Sequence, residues 1–223
     1  MGNGLDVCLG DPAEADTLEE CMEAEFVRSL VRNAGLVLFG QKPAELFSFV
    51  PRAWQGAADP HATQRLSERL FSAYVRLLGD SGLRMSWLAR RTCGMTMLVW
   101  RPALVARVLE DPESRALAHE LGLPDDDAEA LVRAVVGRLR AYYAGRGAFP
   151  HEVGLVLGFP AGDVRGFLAD GGRGALSCGR WRVYGDVEAA RARFDEYERQ
   201  ERRCKRLYAE GVPVRELLRM GAA

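Results

Sequence analysis

The chain divides by the period of its apolar positions. From Thr17 the segment Thr-Leu-Glu-Glu20 has the form of a capping box, and Met22, Phe26 and Leu30 follow at helical spacing until Gly35, which predicts a first helix ending there. Leu36 to Phe39 is a short apolar run bounded by glycines, too brief for a helix. It reads as a strand, followed by a turn and a short helix opened by Pro43. Leu66, Leu70, Tyr74 and Leu77 recur at three and four, predicting a helix over 63–78 closed by Gly79-Asp80-Ser81-Gly82. The period then changes to two. Leu83, Met85 and Trp87 alternate with Arg84, Ser86 and Leu88, and after "ARRTCG" comes "MTMLVWR", so the reading is a β-hairpin. Pro102 and Pro112 each open a short helix. Pro124 and three aspartates begin a longer one carrying Leu131, Val135, Leu139 and Tyr142 up to Gly145. "GRWRVYGD" reads as a short strand. From Val187 a long helix places Ala190, Phe194, Tyr197, Cys204 and Tyr208 on one face, and its charges alternate in sign, which describes a solvated outer face.

These elements predict an α+β, mostly helical fold: a small antiparallel sheet flanked by helices, a C-terminal helix-turn-helix-like corner and a long terminal helix. The expected division is 1–148, an N-terminal α+β half, and 149–223, a C-terminal helical half, the two forming one compact unit. With 48% apolar and 27% charged residues the chain can bury a large core. Thirty basic residues stand against thirty-one acidic ones, so the global field of a nucleic-acid or acidic-membrane binder is missing. No run of eighteen apolar residues and no secretory leader pattern is present, and the expected setting is cytoplasmic without membrane association. Five cysteines include no CxxC pair, consistent with reduced thiols, of which Cys21 and Cys204 fill helical faces.

The densest punctuation lies in "FPHEVGLVLGFPAGDVRGFL", residues 149–168. A helix-turn-helix needs a small residue at the helix crossing, Gly four residues on, and apolar residues six and nine beyond that. Gly154, Gly158, Val164 and Phe167 occupy those positions, with Phe149-Pro150 beginning the first helix and Pro160 opening the second. The spacing speaks for the tri-helical corner more than for DNA reading. The second helix offers base edges only Asp163 and Arg165 and has no cationic excess for phosphates, so nucleic acid is not the expected partner.

The string Phe149-Pro-His-Glu-Val-Gly154, with Leu157-Gly-Phe-Pro160, Asp163-Val164, Gly166-Phe167 and Gly179-Arg-Trp-Arg-Val-Tyr-Gly185, resembles the signature of an uncharacterised bacterial family, domain of unknown function family 3793. Gly40-Gln-Lys42-Pro43-Ala-Glu-Leu46-Phe47 and the Leu-Val-Trp-Arg101 run match it too, so the resemblance covers most of the chain. Phe159 and Ala161-Gly162 stand where relatives more often have Tyr and a bulkier pair. The resemblance implies a cytoplasmic bacterial setting and no assigned substrate, cofactor or activity.

The residues themselves nominate a site. His151 and Glu152 open the corner and are the candidates for proton transfer, although helical neighbours point about a hundred degrees apart and suit two partners better than one proton. The plainer reading makes Glu152 a first-turn acid and leaves His151 in solvent. Lys42, one of two lysines, stands at an element boundary where an ammonium can hold an anion, or is a surface lysine. Arg101 follows a strand just before Pro102. Trp181 and Tyr184 fall on opposite faces of a short strand, one for the core and one to cover a pocket. Cys93 has two preceding arginines but no nearby His to act as base. A metal site is not expected, since His61 and His119 have no ligand-like neighbours and HExxH is absent. The leading expectation is a small anionic ligand or cofactor bound where the halves meet by Lys42, Arg101, His151 and Glu152. The alternatives are a DNA-binding regulator using the corner and an interaction module using the charged helix.

Overall fold

The structure, a computed structural model, describes residues 17–52, 60–91 and 94–221. Helix α1 (Leu18–Leu38) starts at the capping box, with Thr17 accepting from the Glu20 backbone and the Glu20 side chain reaching back to the Thr17 N–H. Strand β1 (Ala44–Phe49) and helix α2 (Pro60–Gly79) precede a hairpin of β2 (Arg84–Arg91) and β3 (Gly94–Trp100). Helices α3 (Pro102–Glu110), α4 (Pro112–Glu120) and α5 (Ala128–Tyr143) follow. The corner is a single turn, α6 (Val153–Val156), and the longer α7 (Ala161–Asp170). A two-residue ladder of β4 (Ser177–Cys178) and β5 (Arg182–Val183) leads into α8 (Val187–Ala209) and α9 (Val214–Met220). The outcome is α+β and mostly helical.

The three-stranded sheet has the order β1-β3-β2 and is antiparallel throughout, with Ala44 opposite Trp100 and Trp87 opposite Met97. Every residue of the central β3 is buried because both faces are covered. Met95, Met97 and Val99 enter a core with Phe26 and Leu30 of α1, Tyr74 of α2, Cys204 of α8 and Leu217 of α9. Leu98 and Trp100 enter a second core with Val105, Leu117, Leu131, Val135 and Leu155, which belong to α3 through α6. Successive strand residues point to opposite faces, so one seven-residue segment nucleates both cores.

Two expectations about 33–46 are corrected. Gly35 does not stop α1; the helix kinks at Ala34 and continues to Leu38. Gly35 is instead a close-approach position, since a Cβ there would lie 3.2 Å from Cys204 Sγ on α8. The run Leu36–Phe39 is apolar because it is buried all round, and a fully buried helical turn cannot be told from a buried strand by period alone. Pro43 does not open a helix either. Its carbonyl accepts from Arg101 N–H and it leads directly into β1, where its missing N–H costs nothing to the ladder. Smaller shifts concern α5, which starts at Ala128 behind the Asp127 cap rather than at Pro124, and the segment after the corner, where a turn splits the expected strand into β4 and β5.

On α8 the expected face packs inward, with Ala190, Tyr197, Cys204 and Tyr208 buried, while Arg202–Glu198 and Arg206–Glu210 pair along the outside. Burial pushes the Cys204 thiol from its ordinary 9.0 up to about 12. The folded value lies above the unfolded one, so this contribution to stability is whole below about pH 9 and is lost as pH rises toward 12. A thiol reagent near neutral pH should therefore label exposed Cys178 in the native protein and reach Cys204 only after unfolding, as peptide mapping would show. Labelling of Cys204 at the rate of Cys178 would contradict this packing.

Candidate functional site

Asp163 organises the C-terminal motif. It stands in the first turn of α7, is almost fully buried, and its two oxygens serve three donors on the hairpin that follows. Oδ2 accepts from Trp181 Nε1 at 2.7 Å, and Oδ1 accepts from the backbone N–H of Tyr184 at 2.7 Å and of Gly185 at 3.0 Å. A buried carboxylate is tolerated only when so satisfied, and the result is that the β4–β5 hairpin is tied to the corner. Trp181 is thereby held against Phe159, stacked at 4.9 Å and 26°, and edge-on to Phe194 at 4.5 Å. On the neighbouring side His151 sits between Phe149 at 5.1 Å and Phe167 at 4.7 Å.

These aromatic groups enclose a cavity of 260 Å³. Leu46 of β1, Gly154 of α6 and Val164 of α7 complete its apolar lining, and Arg182 contributes its polar side together with His151. Arg182 is exposed and makes no ion pair among the described residues. The cavity offers flat apolar walls, one imidazole able to donate or accept a hydrogen bond, and one guanidinium able to hold an anion.

The other nominated residues are engaged elsewhere. Lys42 is buried, which corrects the surface reading; its Nζ lies 2.8 Å from Glu45 Oε2 and 5.6 Å from the Phe159 ring centroid. Arg101 is buried as well, with Nε and Nη2 each donating at 2.6 Å to the carbonyls of Val37 and Leu38. It caps the C-terminal end of α1, and burial lowers its pKa from the ordinary value. Glu152 accepts from Arg138 Nη1 at 2.6 Å and is buried, while His151 is exposed. The two therefore face different partners, as their adjacency suggested. Tyr184 donates its hydroxyl to Asp170; burial and then that bond raise the phenol pKa, and the same bond holds the Asp170 carboxyl below its ordinary range.

The ends of β1 and β3 do come together under the corner, since Arg101 N–H bonds Pro43 and Pro43 packs at Gly158. What does not converge is the charge. The cavity brings together His151, Trp181 and Arg182, and leaves out Lys42, Arg101, Glu152 and Tyr184. Arg182 and the aromatic walls Phe149, Phe159 and Phe167 were not singled out as site residues. Their repetition through the motif was visible, but not the face they share. Among the described residues no three His, Cys, Asp or Glu side chains converge to hold a metal, and His119 is paired with Asp125 at 3.1 Å. Cys8, Cys93 and the side chain of His61 lie outside the described residues.

The family described as "Protein of unknown function (DUF3793)" matches residues 30–218, which takes in both cores, the corner and the cavity. The chain belongs to this family. No curated protein and no solved structure matches the chain. The family assignment brings no activity with it, so the chemistry of the cavity has to carry the functional reading. No helix among the described residues is long and apolar enough to cross a membrane.

Proposed function

We propose that this chain binds a small molecule with a flat apolar body and an anionic group, seated in the aromatic cavity with the anion on Arg182. The observation that carries the reading is the cavity itself: Trp181, Phe159, Phe149 and Phe167 beside a guanidinium, that of Arg182, with no ion-pair partner among the described residues. At 260 Å³ it lies just under the usual span of small-molecule pockets, roughly 300–1,000 Å³, and so suits a compact ligand. Exposed His151 adds an imidazole that can donate or accept a hydrogen bond to the ligand. Cys21, Cys178 and Cys204 all stand as free thiols, which supports a reducing cytoplasmic setting.

The DNA-reading alternative has less support. Asp163 is buried and saturated, and Arg165 pairs with Glu120 at 3.1 Å, so the two polar groups expected to meet bases are occupied. An interaction role for α8 calls for an exposed apolar patch, and none of the exposed large apolar side chains among the described residues lies on that helix.

A series of planar aromatic carboxylates and their neutral amides, followed by calorimetry and thermal shift, tests the proposal. Arg182→Gln should weaken carboxylate binding by roughly tenfold or more while leaving amides unchanged, since a charged hydrogen bond contributes about 1.5–3 kcal/mol. His151→Ala should leave the melting temperature within about 2 °C, as expected of an exposed side chain. If no member of the series binds the folded protein, or if Arg182→Gln weakens acids and amides alike, the reading fails.

A further inference from the structure

A second cleft lies between the outer side of α1 and the end of β1, with a volume of 680 Å³, and it shares no residue with the aromatic cavity. Its character is the reverse of that cavity. Arg28 and Arg32 stand one helical turn apart on α1, and Arg52 lies beyond β1. None of the three guanidinium groups has a carboxylate partner among the described residues. The one acid in the lining, Glu25, uses Oε2 to accept the backbone N–H of Arg52 at 2.6 Å. Arg28 adds the decisive detail: its Nη2 is closed off from solvent and has no hydrogen-bond partner among the described residues.

A charged N–H group closed off in the wall of a cleft is costly, because it has given up water without gaining an acceptor. Native proteins rarely keep such a group without a reason. Elsewhere half-buried Arg138 is matched by Glu152, and Arg180 by both oxygens of Glu201. The cleft offers Arg28 no such match among the described residues. An anion seated among the three arginines compensates the charge of Arg28 even where it does not touch Nη2.

We propose that this cleft binds a phosphomonoester. Three cations against one acid leave a charge that a dianion balances, and three planar forks of donors suit a group with three terminal oxygens better than a carboxylate with two. Ser29 lies in the same lining, and Asn33 donates its amide to the Ser29 carbonyl at 2.8 Å, which leaves its own side-chain oxygen as an acceptor for a ligand hydroxyl. The volume far exceeds a bare phosphate, so the phosphate is carried by a larger organic body. That body belongs either to a soluble phosphate ester or to a lipid with a terminal phosphate.

Calorimetry at constant ionic strength with adenosine monophosphate, adenosine and inorganic phosphate, together with sedimentation on vesicles containing phosphatidate, tests the site and separates the two sources. Binding of the monophosphate in preference to adenosine is expected, weakened roughly tenfold or more in both Arg28→Gln and Arg32→Gln. Because the half-buried Arg28 variant could fold less well, the exposed Arg32→Gln carries the test on its own, with Arg202→Gln on α8 as the neutral control. Retention on phosphatidate vesicles, lost in Arg32→Gln, would instead assign the same site to a lipid phosphate. The proposal is overturned if neither phosphate source binds at millimolar concentration, if Arg202→Gln weakens binding as much as Arg32→Gln, or if duplex DNA is the anion bound. Failure here leaves the aromatic cavity untouched, because Arg182→Gln should not alter phosphate binding and Arg32→Gln should not alter aromatic carboxylate binding.

Discussion

Replacing Gly158 with valine should destabilise the fold by about 3–5 kcal/mol, read from urea denaturation at equilibrium. Two causes add. Gly158 has φ +79, a region in which a β-branched residue is strained, and any Cβ there would lie 2.6 Å from Cγ of Pro43 and 2.8 Å from its Cδ. The proline ring is rigid and its segment is tied to β3 through the Arg101 N–H, so it has little freedom to retreat. Gly171 separates the two causes, because it has φ +69 and nothing within 4 Å of an added Cβ. Gly171→Ala should cost about 1 kcal/mol and Gly158→Ala clearly more, the difference measuring the contact with Pro43. Equal costs for the two alanine variants would mean that the corner does not press on the end of the sheet.

Asp163→Ala should cost roughly 3–5 kcal/mol, because three donors lose the acceptor they share in one step: the Trp181 indole and the Tyr184 and Gly185 backbone N–H groups. For a chain of this size that is a fall of about 10 °C in melting temperature. Asp163→Asn keeps one acceptor oxygen but turns a donor toward another donor, and should fall between the parent and the alanine variant. The near-ultraviolet circular dichroism of Trp181 is the second readout. Its signal should diminish in both variants, since the carboxylate fixes the ring against Phe159. A variant as stable as the parent would show that the hairpin holds the corner without this carboxylate. Because Trp181 forms one wall of the aromatic cavity, loss of Asp163 should also weaken any ligand bound there.

Local signals succeeded where a residue's role is set by its chain neighbours. The capping box at Thr17, the prolines that open α3 and α4, the alternation of the β2–β3 hairpin and the buried face of α8 were all legible, because each depends on spacing within a few residues. The motif at 149–168 likewise announced a turn at Gly158, and its departures at Phe159 and Ala161 fall at that turn. Difficulty began where two long-range partners compete for one local pattern. Gly35 followed by Leu36–Phe39 is the pattern of a helix stop and a strand, and it becomes a helix because α8 presses on the glycine and two cores enclose the run.

The site divides in the same way. That rare residue types cluster at element ends in the C-terminal motif, His151 and Trp181 among them, could be read from the chain alone; that these two line one cavity could not. Which charges remain available was a different matter. Lys42, Arg101 and Glu152 look like site residues in one dimension and are each held by a partner: Glu45, the carbonyls of Val37 and Leu38, and Arg138. Arg182, Arg28 and Arg32 look ordinary in an arginine-rich sequence, and they line cavities without a carboxylate partner among the described residues. By itself the sequence determined the periodic elements, the α+β class and the family, because those follow from spacing and composition along the chain. Only the tertiary structure decided which polar groups are satisfied and which face a cavity, because the pairing of a charge is fixed by residues tens of positions away, brought close when both faces of β3 are buried.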